Sequence, residues 1–175
     1  MEHHLPNKLK LEWPGLPNNL LLDIYIIANK IGIKKIAIVG GLVRDKLLKG
    51  AEFSCSNQGK DLDIVLEGSA TDLARSLEAQ LDSERFTDLQ IHSAYDTASM
   101  KIDGYPVDLT TARLETYQAP GLNPKITPCS LKKDLLRRDF SINAMAIELS
   151  NMNLLDPYSG KEALASKEVE FLHPK

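Results

Sequence analysis

This sequence predicts an α+β fold, a mixed and mostly antiparallel sheet flanked by helices, on three observations. Apolar runs of strand length are interspersed with stretches whose apolar residues recur at helical spacing. Asp103-Gly104 stands between two alternating segments, the pattern of an antiparallel hairpin. No internal repeat or shift in composition divides the 175 residues, a length that buries one ordinary core.

Residues 1–17, rich in proline and polar side chains, read as an irregular segment that Trp13 anchors to a domain over 18–175. Asn18 or Asn19 is placed to cap a helix to Lys30, with Leu20, Leu21, Ile24, Ile27, Ala28 and Ile31 as its apolar stripe. Gly32 stops it. Residues 35–39 read as a short buried strand entering Gly40-Gly41, and a helix over 42–49 ends at Gly50. A loop over 51–60 precedes a strand over 61–67. Gly68-Ser69 opens a helix to Leu81, with Ser69 and Asp72 in a capping-box-like arrangement. Strands follow near 90–94, at 98–102 and at 105–111. Residues 114–129 hold Pro120, Gly121, Pro124 and Pro128 and read as a long loop, commonly a functional feature at that length. Ser130 is placed to cap a helix toward Arg138. A helical turn with an apolar strand over 140–149, a turn over 156–160 and a helix start over 161–165 complete the chain.

Composition narrows the class. Hydrophobic content of 43% and charged content of 26% are those of a soluble globular protein. A formal charge of −3 argues against the whole surface being a nucleic-acid footprint. A local basic strip over 125–139 sets five cations against two carboxylates, either a solvated helix face or a local contact. Cys55 and Cys129 lack metal-ligand spacing, so neither a zinc site nor a disulfide is expected. His3 and His4 fall in the N-terminal segment, and His92 and His173 stand alone. With no signal peptide and no apolar run of about 20 residues, the expectation is a cytoplasmic protein without a membrane partner.

The chemistry concentrates at Lys60-Asp-Leu-Asp-Ile-Val-Leu66. In a strand, Asp61 and Asp63 share one face while Leu62, Ile64 and Leu66 occupy the other. Two strand rises, about 6.6 Å, let both carboxylates converge on a pair of divalent ions about 3.5–4 Å apart. The plainer alternative is a pair of solvated acids on a half-buried strand. Asp108, on the face opposite Val107 and Leu109, adds a third carboxylate or a structural one. Gly40-Gly41 between strand and helix lets backbone N–H groups approach a phosphate, with Arg44 on the first helical turn as a fixed charge. A tight turn with a surface arginine is the alternative, and Asp45 reads as a structural partner of Arg44. Together these suit in-line attack of a hydroxyl on the α-phosphorus of a nucleoside triphosphate, with magnesium at a two-metal site.

Three ordered motifs carry a family resemblance: Gly40-Gly-Leu-Val-Arg-Asp45, Asp61-Leu-Asp-Ile-Val65 and Asp134-Leu-Leu-Arg-Arg-Asp-Phe-Ser-Ile-Asn-Ala-Met145. They resemble the head-domain motifs of class II tRNA nucleotidyltransferases (CCA-adding enzymes) and bacterial poly(A) polymerases. Asp108-Leu-Thr-Thr-Ala-Arg113, the stretch from Glu115 to Ser130 and Asp156-Pro-Tyr-Ser-Gly160 follow in the same order. The resemblance implies a nucleotidyltransferase (polymerase beta-like) fold in which Asp61 and Asp63 are catalytic and hold the metals, and Asp108 joins them as a catalytic residue on the strand pattern above. It further implies that Gly41, Arg44, Arg138, Asp139 and Asn143 bind the nucleotide, and that 115–130 is a flexible loop. The implied reaction moves a nucleotide from CTP or ATP to the 3′ hydroxyl of tRNA. Two departures stand out: a long connection from Gly41 to Asp61, and Ser141 where the family more often has Thr.

The resemblance also implies a neck, body and tail beyond this chain, so the expectation is a catalytic head, either a fragment or a naturally short product. Such a head would bind metal and triphosphate weakly, would not choose C from A, and would meet the tRNA end mainly through the missing domains. A poly(A) polymerase head, a C- or A-adding specialist and a nucleotide-binding remnant remain alternatives. So does a glycosyltransferase that uses Asp-x-Asp, although it leaves the other two motifs unexplained.

Overall fold

The computed structural model describes residues 13–55, 59–118, 121 and 123–172. The expectations for His3, His4, Pro120, His173 and residues 56–58 of the loop lie outside them. Five helices are described: α1 (Leu20–Lys30), α2 (Gly41–Lys49), α3 (Ala70–Gln80), α4 (Leu131–Leu136) and α5 (Gly160–Ser166). The strands are β1 (Ile36–Val39), β2 (Leu62–Leu66), β3 (Phe86–His92), β4 (Thr97–Ile102), β5 (Tyr105–Thr111), β6 (Arg113–Thr116), β7 (Lys125–Pro128), β8 (Ala146–Glu148) and β9 (Leu154–Leu155). Seven form one sheet in the order β3-β4-β5-β2-β1-β8-β9, with only the β2–β5 pair parallel among its ladders. No helix among the described residues is long and apolar enough to cross a membrane.

Alternation along the strands sorts two apolar clusters onto the two faces of the sheet. Ile36, Ile38, Leu62, Ile64 and Leu66 pack with the buried stripes of α1 and α3 in the larger cluster. Ala37, Val39 and Val65 point the other way and pack with Leu131, Leu135, Ala144 and Ala146. β1 is therefore buried on both faces, which is why its sequence is apolar throughout. Trp13 joins the larger cluster, edge-on to Phe53 with ring centroids 5.7 Å apart.

Several boundaries differ from expectation for local reasons. Asn19 does occupy the cap position of α1, but at φ 63° its side chain makes no capping bond. Ile31 lies just past the helix and is 39% exposed, outside the stripe. There the chain closes a Schellman turn, Gly32 N–H to Asn29 O at 3.0 Å and Ile33 N–H to Ala28 O at 2.9 Å. Ser69 caps α3 as expected, accepting the Asp72 N–H at 3.2 Å. Ser130 makes no side-chain cap on α4; the Glu67 carboxylate accepts the Leu131 N–H at 2.8 Å instead. α4 stops at Leu136, short of Arg138. β3 begins at Phe86, earlier than expected. The stretch expected as a long loop contains a two-stranded ribbon, β6 paired with β7, whose Pro128 sits at the strand end, where a missing N–H costs least.

The α3 N-terminus is tied to the sheet by a half-buried polar knot. Asp96, at φ 44°, accepts the Thr71 N–H at 3.0 Å and the Ser69 hydroxyl at 3.1 Å, with the Thr111 hydroxyl 2.7 Å away. Burial pushes the Asp96 carboxyl up, but hydrogen bonds from Thr111, Thr71 and Ser69 outweigh it and hold the pKa below the usual carboxylate value. A depressed folded pKa contributes stability that is present above the unfolded value of about 3.9 and lost as pH falls through the folded one. Asp96→Asn is expected to cost about 1–3 kcal/mol at neutral pH and to remove that part of the acid sensitivity, read by urea unfolding across pH.

Candidate active site

Everything at the site is arranged around the turn between β1 and α2. Gly40 has φ +76°, and a Cβ built there would lie 3.3 Å from Asp63 Oδ2 and 3.4 Å from Arg138 Nη1. Both the left-handed backbone and the close approach demand glycine. Gly41 opens α2, and a Cβ there would meet Lys60 Nζ at 3.6 Å, an ordinary contact. The strict requirement thus falls on Gly40, whereas the sequence pointed to Gly41, which lines the adjacent recess.

The parallel β2–β5 ladder sets Asp63 opposite Asp108, between the core pairs Leu62–Val107 and Ile64–Leu109. Asp61 sits exposed one residue before β2. Burial first, then the negative charges of Asp108 and Asp61, push the Asp63 carboxyl above its ordinary value, and Arg138 only partly offsets them. Among the described residues no group of three or more His, Cys, Asp or Glu is gathered closely enough to hold a metal ion. Asp63 and Asp108 are the pair set by strand register, and Asp61 lies exposed just before the strand. This donor set is all carboxylate and short of positive charge, which fits a hard divalent cation.

The basic side of the site converges from three parts of the chain. Arg44 Nη1 donates to Asn143 Oδ1 at 2.8 Å, and Arg44 Nε and Nη2 donate to Asp45 Oδ1 at 3.0 and 2.9 Å. Lys60 is ion-paired with the second oxygen of Asp45. Burial would raise the Asp45 pKa, but the bonds from Lys60 and Arg44 hold it below the usual range. Arg138 is half-buried, with a long hydrogen bond to Asn143 O at 3.5 Å and a buried Nε that lacks a partner among the described residues. Desolvation lowers its pKa despite the attraction of Asp134 and Asp63. Asp139 stands apart: its carboxylate is exposed and makes no hydrogen bond or ion pair among the described residues, while its carbonyl accepts the Leu172 N–H at 3.0 Å.

Two residues escaped the sequence reading. Lys60 lines a recess of about 300 Å³ with Gly41, Leu42, Gly59, Asp61 and Asp63. Its place directly before Asp-x-Asp was the available signal. Tyr105 donates its hydroxyl to Lys60 O at 3.0 Å, and burial, then Cys55 and Asp61, push that phenol up to about 12, so it stays a donor. No local pattern announces it. The recess accordingly joins the Asp61 and Asp63 carboxylates to Lys60 and the α2 N-terminus at Gly41, a cation-seeking edge beside an anion-seeking one.

The chain matches a family described as the poly A polymerase head domain over residues 36–170. It is 42% identical over 142 residues to an A-adding tRNA nucleotidyltransferase of Aquifex aeolicus (strain VF5), covering 78% of this chain and 16% of the relative. An A-adding tRNA nucleotidyltransferase of Halalkalibacterium halodurans is 36% identical over 178 residues, covering 98% of this chain and 39% of the relative. Among solved structures, a CCA-adding enzyme in apo form II superposes with a TM-score of 0.72 at 33% identity, over 90% of this chain and 36% of that one. A tRNA nucleotidyltransferase complexed with a primer tRNA and an incoming ATP analog gives 0.67 at 36% identity, over 86% and 39%. The chain spans well under half the length of these relatives. Its mixed sheet and flanking helices have the nucleotidyltransferase fold of those heads. Because the glycine turn, the Asp-x-Asp strand and the Arg138 segment all fall inside the matched span, the chain belongs to the poly A polymerase head-domain family.

Proposed function

We propose that this chain is the catalytic head of a tRNA nucleotidyltransferase, transferring a nucleotide from CTP or ATP to the 3′ hydroxyl of tRNA. The observation that carries the reading is Asp63, in register with Asp108 and packed with Arg138 against Gly40. Asp61 and Asp63 would hold magnesium, with Asp108 completing the oxygen set. Bound there, divalent ions stabilise the charge that builds on the attacking and leaving oxygens.

The chain's own groups do the positioning. Backbone N–H groups at Gly40-Gly41, with Arg44 and Lys60, orient the triphosphate; Arg138 and Asn143 steady the nucleotide beside it. The 3′ hydroxyl gives up its proton to solvent as its oxygen bonds to the α-phosphorus and the bond to the α–β bridging oxygen breaks, and pyrophosphate leaves. Asp139, exposed as it is, would serve only a nucleotide that reaches over the rim. Relatives named A-adding, CC-adding and CCA-adding all match. ATP is the nucleotide to test first, since the 42% and 36% identical relatives are A-adding. A head that acts on tRNA with nucleoside triphosphates would work in the cytoplasm, where both are available.

Asp61→Asn and Asp63→Asn are each expected to lower magnesium-dependent incorporation of labelled ATP or CTP into tRNA by about 10³-fold or more, with the circular dichroism spectrum unchanged. Incorporation at the original rate in either variant overturns the assignment. Arg44→Ala is expected to weaken ATP binding about tenfold, read by calorimetry. Because Asp63 must lose its proton to bind a cation and its pKa is raised, magnesium affinity should fall about tenfold per pH unit below that pKa. Asp108→Asn removes a neighbouring charge, so it should shift the Asp63 titration, followed by carboxyl NMR, to lower pH.

A further inference from the structure

We infer that Asp134 is a positioning residue for Arg138, holding the guanidinium from behind so that it does not close onto Asp63. The inference rests on the nucleotide site proposed above. Asp134 is fully buried, an acid that the proposed reaction does not otherwise use. Its Oδ1 accepts the Arg113 N–H at 3.1 Å and the Arg137 Nε–H at 2.9 Å, tying the start of β6 to the end of α4. Its Oδ2 is buried with no partner among the described residues, and so is Arg138 Nε.

Buried polar atoms are nearly always paired, so a solitary acceptor and a solitary donor in one short segment call for a joint account. The two residues stand four apart across the end of α4. Arg137 keeps helical angles between them, and the Arg138 N–H still reaches the Leu135 carbonyl at 3.3 Å. That spacing puts both side chains on one helical face.

The other end of Arg138 shows what a rear anchor does. Nη1 and Asp63 Oδ2 flank Gly40, 3.4 and 3.3 Å from the point that a Cβ would occupy. Among the described residues the guanidinium nonetheless makes no hydrogen bond to Asp63, and its one bond is the long contact to Asn143 O at 3.5 Å. Attraction between half-buried opposite charges is strong, so Asp63 alone would draw the arginine in. Burial is the largest influence on Arg138; among the charges around it, Asp134 attracts most, Arg137 repels next, and Asp63 attracts less. Asp134 therefore opposes the collapse with the greater pull. An arginine closed onto Asp63 would obstruct both ligands at once, covering the carboxylate that takes the cation and occupying the Nη edge that takes the anion.

Asp134→Asn is the informative variant, because the amide keeps an oxygen for Arg113 and Arg137 and sets an N–H in place of Oδ2, donor against donor at Arg138 Nε. With magnesium present, ATP binding by calorimetry is expected to weaken about tenfold. Manganese binding without nucleotide, followed by electron paramagnetic resonance, should weaken in parallel. In an Arg138→Met background the same substitution should change ATP affinity less than about twofold, since a carboxylate acting through Arg138 has nothing left to act on. ATP affinity unchanged in Asp134→Asn, or an equal loss in the Arg138→Met background, overturns the role. Should Asp134→Asn not fold, a crystal of the unsubstituted chain with manganese and ATP decides. Arg138 Nε should there meet Asp134 Oδ2 directly or through one water, and an Arg138–Asp63 ion pair overturns the inference. With ATP binding still sensitive to Arg44→Ala, each of these failures removes the role of Asp134 alone. ATP binding indifferent to both Arg44→Ala and Arg138→Met overturns the nucleotide site, and this inference with it.

Discussion

A missing side chain at residue 40 governs the site. Asp63 Oδ2 and Arg138 Nη1 come so near the Gly40 backbone that a methyl group would press on both, at 3.3 and 3.4 Å. That contact joins a strand from the middle of the sheet to a segment 75 residues further along the chain. Alanine at this position would face a positive φ and would have to displace the Asp63 carboxylate by a few tenths of an ångström, with the Arg138 guanidinium at its other side. The opposed charges are held close by packing, and their attraction follows from that placement.

The same closeness leaves both charges short of solvent. Burial disfavours the ionised form of Asp63 and of Arg138 alike, and their mutual attraction does not make up the difference. The pair is thus no stability device. On the proposed reading each group has a further counter-charge to gain, a divalent cation at Asp63 and an anionic nucleotide at Arg138. Binding energy would then come from relieving charges that folding has already set in position, the preorganisation that transfer chemistry rewards.

What was legible in the sequence followed from local periodicity. Alternation put Asp61 and Asp63 on one face, and the Asp103-Gly104 hairpin gave the strand that carries Asp108 beside them. Non-local geometry was hidden. Nothing in Gly40-Gly41 tells which glycine takes the left-handed conformation, and the Arg44–Asn143 hydrogen bond spans 99 residues. The ribbon of β6 and β7 was masked because its flanking prolines and glycine are loop residues, while the pairing depends on Arg113 and Thr116 meeting Pro128 and Lys125. Asp139 sits within a recognisable motif, yet α4 ends before it and its side chain faces outward.

Among the described residues, no hydrogen bond of the Asp156-Pro-Tyr-Ser-Gly160 motif reaches the candidate ligand-binding side chains, and its packing explains why it matters to them. Asp156 caps α5, accepting the Gly160 N–H at 2.7 Å and the Lys161 N–H at 2.9 Å. Gly160 is then pressed so tightly against the Ser141 carbonyl that an added Cβ would come within 2.3 Å. Ser141 begins the single 3-10 turn that ends at Asn143. Asn143 in turn receives Arg44 through its side chain and Arg138 through its carbonyl. The motif therefore acts at a distance of one packing layer, holding the turn from which two cationic side chains take their orientation. Its glycine is required by steric contact alone, since its backbone is not left-handed, and substitution there would loosen the basic side of the site while leaving the carboxylate strands in place.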